Sequence, residues 1–341
     1  VFVDTGSKDL TVETLERWRG FAEEHGCVFK IIEVKDAFVK DGFFDFALAR
    51  NFAFSKLTSD WHMWLDADDR LLGSDFLWSL VKNEPEEVNC ISMKYDYTGE
   101  GDKGSVWQDA KRIFRYPSGA MRWTGRIHEQ PIAVSQHLMD AIEAFVDIPA
   151  PWSMKAALHV VHANARHDES TARNEAVLEH LYKTGDAIEK SRAAYFLGHL
   201  CALRKDKRAK NLLQEAIFGM HGNYIGVLAS VALAEYLLGV EGNHVTAIDI
   251  VGAIHAQVPE LPEPLWTLGL AHKAKGDQHR AARFFREALA LPDPPFRPHR
   301  NNLVEELLGP MWAVEALRLS GDLSGAKKIL ELSIILSASR F

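Results

Sequence analysis

The hydropathy pattern of this chain changes character once, near residue 165, and that switch calls for two kinds of structure. Before it, short apolar runs alternate with helical patterns, the mark of an α/β layered domain. After it, every segment reads as helix, broken by short polar turns. A chain of 341 residues is long enough to bury two cores. The expected organisation is therefore an α/β domain over residues 1–165 and an all-α domain over 166–341. In the first part, Val1–Val3 reads as a strand end, followed by the turn Thr5-Gly6-Ser7. A helix is predicted from Thr11 to His25, with Leu15, Trp18, Phe21 and Ala22 on its apolar face. Further elements are a strand at 27–34, a helix from Phe46 to Leu57, a strand from Trp61 to Leu65 and a helix over Phe76–Lys82. Strand-like segments follow between Asn89 and Ile132, with a last one at 156–162.

In the second part, polar turns recur at Lys205-Asp206, Gly242-Asn243, Gly276-Asp277 and Gly321-Asp322, in steps of 37, 34 and 45 residues. The clearest unit, residues 261–295, resembles a tetratricopeptide repeat. Its Trp266, Leu268-Gly269, Ala281, Phe285, Ala288-Leu289 and Pro292 fall where such a repeat places its helix-packing residues. Small residues let two helices approach and large ones fill the groove between them. An ordinary helical bundle is the alternative.

The feature richest in chemistry is "DWHMWLDADDR" at 60–70, an apolar strand ending in Asp66-Ala67-Asp68-Asp69. In an open α/β sheet, ligands bind beyond the carboxyl ends of strands, so carboxylates there face a crevice. Two carboxylates at i and i+2 of an extended segment point to one side and can share a hard divalent cation with phosphate oxygens. An acidic turn or a helix N-cap would use the same residues. An EF-hand is excluded, because its Gly and Glu are not at the required offsets.

Taken in order, "VDTGSKDLT" (3–11), "ARN" (49–51), "WLDADD" (64–69), "RIFRY" (112–116) and "GRIHE" (125–129) resemble the family 2 glycosyltransferases of the GT-A fold. The closest variety carries a tetratricopeptide tail. The likeness continues through His162 and the segment 166–185 into the helices. It implies inverting transfer of a sugar from a nucleoside diphosphate donor, usually a UDP-sugar, to a glycan, surface polymer or polypeptide. By that resemblance Asp4 hydrogen-bonds the uracil or ribose, with Thr5 standing where many relatives have a second Asp. Arg50 approaches the nucleotide and Asn51 is structural. Asp66 and Asp68 bind Mn²⁺ or Mg²⁺, Asp66 also lying near the ribose, with His128 as third ligand or diphosphate contact. Glu129 is the general base, with Asp69 and Asp109 in reserve. The repeats would contact the acceptor, a partner protein or a second copy. The alternatives are a catalytically idle relative acting as a repeat scaffold, and a nucleotidyltransferase, for which no Gly-rich basic loop is visible.

Charge and composition narrow the partners. Residues 1–165 carry 18 basic and 26 acidic side chains, a poor match to a polyphosphate backbone, so nucleic-acid binding is not expected. Cys27, Cys90 and Cys201 form no metal or redox spacing and read as buried thiols in a reducing compartment. No apolar run has the length of a membrane span and no signal peptide is seen, which makes the cytoplasm the expected location. Relatives begin with one more strand and helix, so the chain is expected to be a piece of a longer reading frame.

Overall fold

A computed structural model describes residues 1–82, 84, 90–96, 107–115, 121–133, 147–149, 159–162, 167–221, 224–291 and 308–338. Its contacts divide the chain into two compact units, residues 1–95 with 109–161, and residues 96–108 with 162–341.

The first unit is α/β. Strand β1 (Phe2–Asp4) pairs in parallel with β2 (Ile31–Glu33), the two being joined through helix α1 (Thr11–Glu24). Strands β3 (Val39–Lys40) and β4 (Phe43–Phe44) form a hairpin whose two-residue loop, Asp41-Gly42, has positive φ at both positions. That is the primed turn that matches strand twist. Helix α2 (Phe46–Phe54) starts on Asp45, whose carboxylate accepts from the Leu48 N–H at 2.9 Å. Then come β5 (His62–Met63), β6 (Asp69–Leu72), a 3₁₀ turn (Ser74–Phe76) and α3 (Leu77–Lys82). The remaining strands are β7 (Cys90–Asp96), β8 (Trp107–Phe114), β9 (Met121–Thr124), β10 (Gln130–Ala133), β11 (Asp147–Pro149) and β12 (His159–His162). The main sheet is mixed, ordered β5-β8-β7-β12-β6, with β11 also on β7, while β9 and β10 make a separate antiparallel hairpin.

The period of two along the strands explains the two cores of this unit. Ile91, Met93 and Tyr95 of β7 and Ile113 of β8 face one side, where Leu80 and Val81 of α3 cover them. Cys90 and Phe114 face the other, against Ala47 of α2 and Trp123 of β9, with Phe54 and Trp64 beside them. The helix α1 departs from expectation. Its apolar stripe is formed as predicted, but no residue of it is buried, and Trp18 and Phe21 are 58% and 55% exposed. Periodicity identifies a stripe without showing what covers it, and two strands of three residues are too small a layer to do so. Cys27 is also exposed, against the expectation of three buried thiols, because it follows the left-handed Gly26 in the surface turn that ends α1.

The second unit is helical: α4 (His167–Thr184), α5 (Ala187–Leu203), α6 (Arg208–Gly219), α7 (Tyr224–Gly239), α8 (His244–Gln257), α9 (Pro262–Ala274), α10 (Gln278–Ala290), α11 (Gly309–Leu319) and α12 (Leu323–Ala338). Each packs on the next, and α7 also touches α5 and α9. This is the stacked antiparallel-pair arrangement of tetratricopeptide-type repeats. Each turn singled out in the sequence breaks a pair in the same way. Lys205, Gly242, Gly276 and Gly321 adopt positive φ, and the side chain of the next residue then accepts from an N–H in the first turn of the following helix. Asp206, Asn243, Asp277 and Asp322 accept from the N–H of Arg208, Thr246, Arg280 and Gly325 respectively. Gly269 lets α9 close on α10: a Cβ there would sit 2.2 Å from the Phe285 ring. Gly269→Ala should therefore cost about 1–3 kcal/mol by overpacking. Gly252→Ala, with nothing within 4 Å, should gain up to about 1 kcal/mol of helix propensity. Urea denaturation of the two variants reads the contrast. Among the described residues, no helix is long and apolar enough to cross a membrane.

Candidate active site

The acidic segment is a turn between two strands. After β5, the Trp64 N–H donates to the Arg112 carbonyl of β8 at 3.3 Å, and the Asp69 N–H closes back on the Asp66 carbonyl at 3.0 Å. Ala67 and Asp68 are the turn's central residues. The extended i, i+2 geometry expected for Asp66 and Asp68 is thus replaced by a tight reversal. Asp69 is what holds it. Its carboxylate accepts from the Asp66 N–H at 3.1 Å, from Arg112 Nη1 at 2.8 Å and from the Tyr95 hydroxyl at 2.9 Å. The Arg112 and Asp69 side chains are 1% and 0% exposed. A carboxylate with this many donors, sealed from solvent, cannot collect an acceptor's proton, so Asp69 is not a reserve base. The side chain of Asp109, the other reserve, lies outside the described residues.

Arg50 gathers the site. It projects from α2, where Nε donates to Glu129 Oε1 at 2.5 Å and Nη2 donates to Asp66 Oδ1 at 2.9 Å. Its guanidinium lies 3.9 Å from the Trp64 ring and 5.2 Å from Trp123. The Arg112 guanidinium lies 3.6 Å from the same Trp64 ring and 4.0 Å from Tyr95. Tyr95, Arg112, Trp64, Arg50 and Trp123 thus form an alternating stack of aromatic rings and cations, a contact strengthened by desolvation. Burial works against the Arg50 charge, but Asp66 and Glu129 outweigh it and raise its pKa. Burial and then Asp69 hold the Asp66 carboxyl above its usual range despite Arg50 and Arg112. Arg50 makes its shorter contact to Glu129, so Asp66 is only partly compensated.

Neighbouring contacts fix this geometry. Asn51 is structural, as expected: its amide clasps Trp123, donating to the carbonyl at 2.9 Å and accepting from the N–H at 2.7 Å. The bend between β9 and β10 is tied to the start of α2, since the Arg126 carbonyl accepts from the Phe46 N–H at 3.2 Å. Arg126 Nη2 also donates to Asp41 at 2.8 Å. This bend carries Glu129 inward to Arg50. His128, next to it, is exposed and adopts a left-handed φ of 52°.

Asp4 is buried at the end of β1, with its carboxylate accepting from the N–H groups of Gly6 and Ser7 at 3.1–3.3 Å. Hydrogen bonds from Ser7 and then Gly6 lower its pKa against the penalty of burial. Its carboxylate bonds within its own turn, and α2, which carries Arg50, touches β1. Three of the expected site residues, Arg50, Asp66 and Glu129, are therefore joined directly.

Among the described residues, no three His, Cys, Asp or Glu side chains gather as a metal cage. The donor chemistry fits a different arrangement. Asp66 shares Arg50 with Glu129, and it is held above its normal pKa. A hard cation such as Mg²⁺ is commonly held by one or two carboxylates together with substrate phosphates. The residues fit a cation shared with a diphosphate. Sequence reading missed Arg112 and Tyr95. The available signal was Arg112, directly before Ile113-Phe114 at the end of β8, opposite an aspartate surplus to the proposed metal pair.

Residues 1–132 match the family described as Glycosyl transferase family 2. The SPbeta prophage-derived glycosyltransferase SunS of Bacillus subtilis (strain 168) is 25% identical over 229 residues, 64% of this chain and 46% of its own length. The glycosyltransferase SunS of Bacillus phage SPbeta matches to the same extent. The chain thus spans about half the length of the curated relatives it matches. Among solved structures, MamA 41-end from Desulfovibrio magneticus RS-1 aligns over 51% of this chain and 98% of its own, with 19% identity and a TM-score of 0.36. The MamA RS-1 ArsTM double mutant aligns over 52% with the same identity and TM-score. Arg50, Asp66 and Glu129 all lie inside the span of residues 1–132 that is similar to the Glycosyl transferase family 2.

Proposed function

We propose that this protein transfers a sugar from a nucleoside diphosphate donor, a UDP-sugar in the first instance, with inversion, onto a hydroxyl of a glycan, surface polymer or polypeptide. The observation that carries the proposal is Arg50, which joins the Glu129 carboxylate to the acidic turn through Asp66. The acceptor oxygen attacks the anomeric carbon while the bond from that carbon to the β-phosphate oxygen breaks. The electron pair leaves on the diphosphate, and the acceptor's proton passes to Glu129. Arg50 orients Glu129 and presents a cation toward the phosphates. Asp4 shapes the turn after β1 that receives the nucleotide and accepts from its base or ribose. Asp66 and Asp68, with His128 beside them, would hold Mn²⁺ or Mg²⁺, which would supply charge to offset that on the leaving diphosphate.

Trp64 and Trp123 wall the Arg50 side chain, so its charge acts in a partly desolvated setting where each contact counts for more than in water. The repeats are assigned to acceptor docking, a protein partner or self-association, and the reaction to the cytoplasm. A panel of UDP- and GDP-sugars tests the reading, since transferases leak slowly to water. Hydrolysis of at least one donor, dependent on Mn²⁺ or Mg²⁺, is expected. Silence across the panel, with a protein partner still bound by the chain, would favour the repeat-scaffold alternative.

A further inference from the structure

A cavity of about 610 Å³ opens between the start of α5 and one face of α6. That volume lies in the range of ligand pockets, about 300–1,000 Å³. From α6 it is lined by Asn211, Gln214, Glu215 and Phe218, spaced i, i+3, i+4 and i+7 and so set along one stripe of the helix. Lys190 and Ser191 face them from α5. Close approach fixes the floor: a Cβ at Gly219 would collide with the Ser191 hydroxyl, which is turned back to donate to the Ala187 carbonyl at 2.8 Å.

The polar groups of this cavity are open. Among the described residues, the Asn211 and Gln214 amides make no hydrogen bond, and Lys190 and Glu215 have no ion-pair partner. Glu215 is oriented by a neutral donor, the Tyr182 hydroxyl of α4, which reaches one of its oxygens at 2.7 Å and leaves the other open. The Lys190 ammonium stands 5.4 Å from the centre of the same Tyr182 ring. At the rim, Phe218 is 89% exposed. A lone exposed apolar residue is ordinary on a protein surface. A ring beside a cavity with two unbonded amides meets the needs of one class of ligand. Each amide offers an acceptor and two donors, Glu215 adds an acceptor and Lys190 a donor, which suits adjacent hydroxyls that both donate and accept. The single positive and single negative charge favour no ion of either sign. The negative face of an aromatic ring seats the slightly positive C–H face of a sugar ring. A wholly apolar guest would leave the amides and the carboxylate desolvated without partners.

We propose that this cavity is a binding site for a neutral oligosaccharide, with one pyranose ring stacked on Phe218 and its hydroxyls bonded by Asn211, Gln214 and Glu215. The Tyr182 contact holds Glu215 in place before the ligand arrives, which lowers the ordering cost of binding. The site belongs to the helical unit alone, so its outcome is independent of sugar transfer at the acidic turn.

The test is binding of the fluorescently labelled full chain to an array of neutral hexose and N-acetylhexosamine oligosaccharides, with sialylated and sulfated ones alongside. Retention on at least one neutral oligosaccharide is expected, with no preference for the anionic ones. The strongest neutral binder is then titrated calorimetrically. Phe218→Ala should weaken it at least about ten-fold, the scale of covering an aromatic ring with a ligand. Gln214→Ala should weaken it about three-fold or more, the scale of one hydrogen bond. Tm should stay at the wild-type value in both, because both side chains are exposed and unbonded. Failure to bind any neutral oligosaccharide, or a preference for anionic ones, would overturn the proposal. So would unchanged affinity in Phe218→Ala, which would place the sugar elsewhere on the chain. A Tm several degrees lower in both variants would make these packing residues and overturn it as well.

Discussion

Arg112→Met should lower the free energy of unfolding by about 3–5 kcal/mol, the cost of stranding a buried charge. The Asp69 carboxylate has no exposed surface, and Arg112 pairs with it at 2.8 Å. Methionine fills much of the space between Trp64 and Tyr95 but supplies no cation, so the loss reports the ion pair more than a cavity. Asp69 would keep the Tyr95 hydroxyl and the Asp66 N–H but lose the Arg112 cation. The stability loss should come with weaker donor binding, because those same contacts set the path of the Asp66–Asp69 turn. Urea denaturation measures the first effect. A loss below about 1 kcal/mol, the value of an exposed pair, would mean that water reaches the pair and that Arg112 does not lock the turn.

Glu129→Gln should reduce sugar transfer by about 10²–10⁴-fold, the usual contribution of a positioned general base. Glutamine keeps the size of the side chain, and its amide oxygen can still accept from Arg50 Nε. The architecture around Asp66 should therefore survive, and UDP affinity should stay within about two-fold of wild type, well inside one RT-scale change. A pattern of lost turnover with retained binding separates a base from a residue that merely holds Arg50. Transfer at the wild-type rate would remove Glu129 from that role.

The sequence carried some parts of this structure openly. The four capped turns of the helical unit were readable because a residue able to take positive φ followed by Asp or Asn is a local signal. Even Lys205 keeps the pattern, since Asp206 supplies the cap. The convergence of Arg50 on Glu129, 79 residues away, and on Asp66, 16 away, was legible only through the family resemblance. No local spacing encodes it. Asp66, Asp68 and Asp69 look alike in sequence and differ only in what the sheet brings beside them. Arg112 arrives from β8 and claims Asp69. The stripe on α1 fails for a similar reason, because burial depends on a second layer that periodicity cannot supply. His128 shows a further limit, since a left-handed bend turns neighbouring residues to different surroundings, Glu129 inward and His128 to solvent.

The most direct measurement is a calorimetric titration of UDP into the protein, with and without Mn²⁺, for wild type and Asp68→Ala. Saturable binding that requires Mn²⁺ and disappears in Asp68→Ala is the predicted result. Binding of equal strength without metal, or unchanged in Asp68→Ala, would contradict an acidic turn that holds a cation against a nucleotide's phosphates.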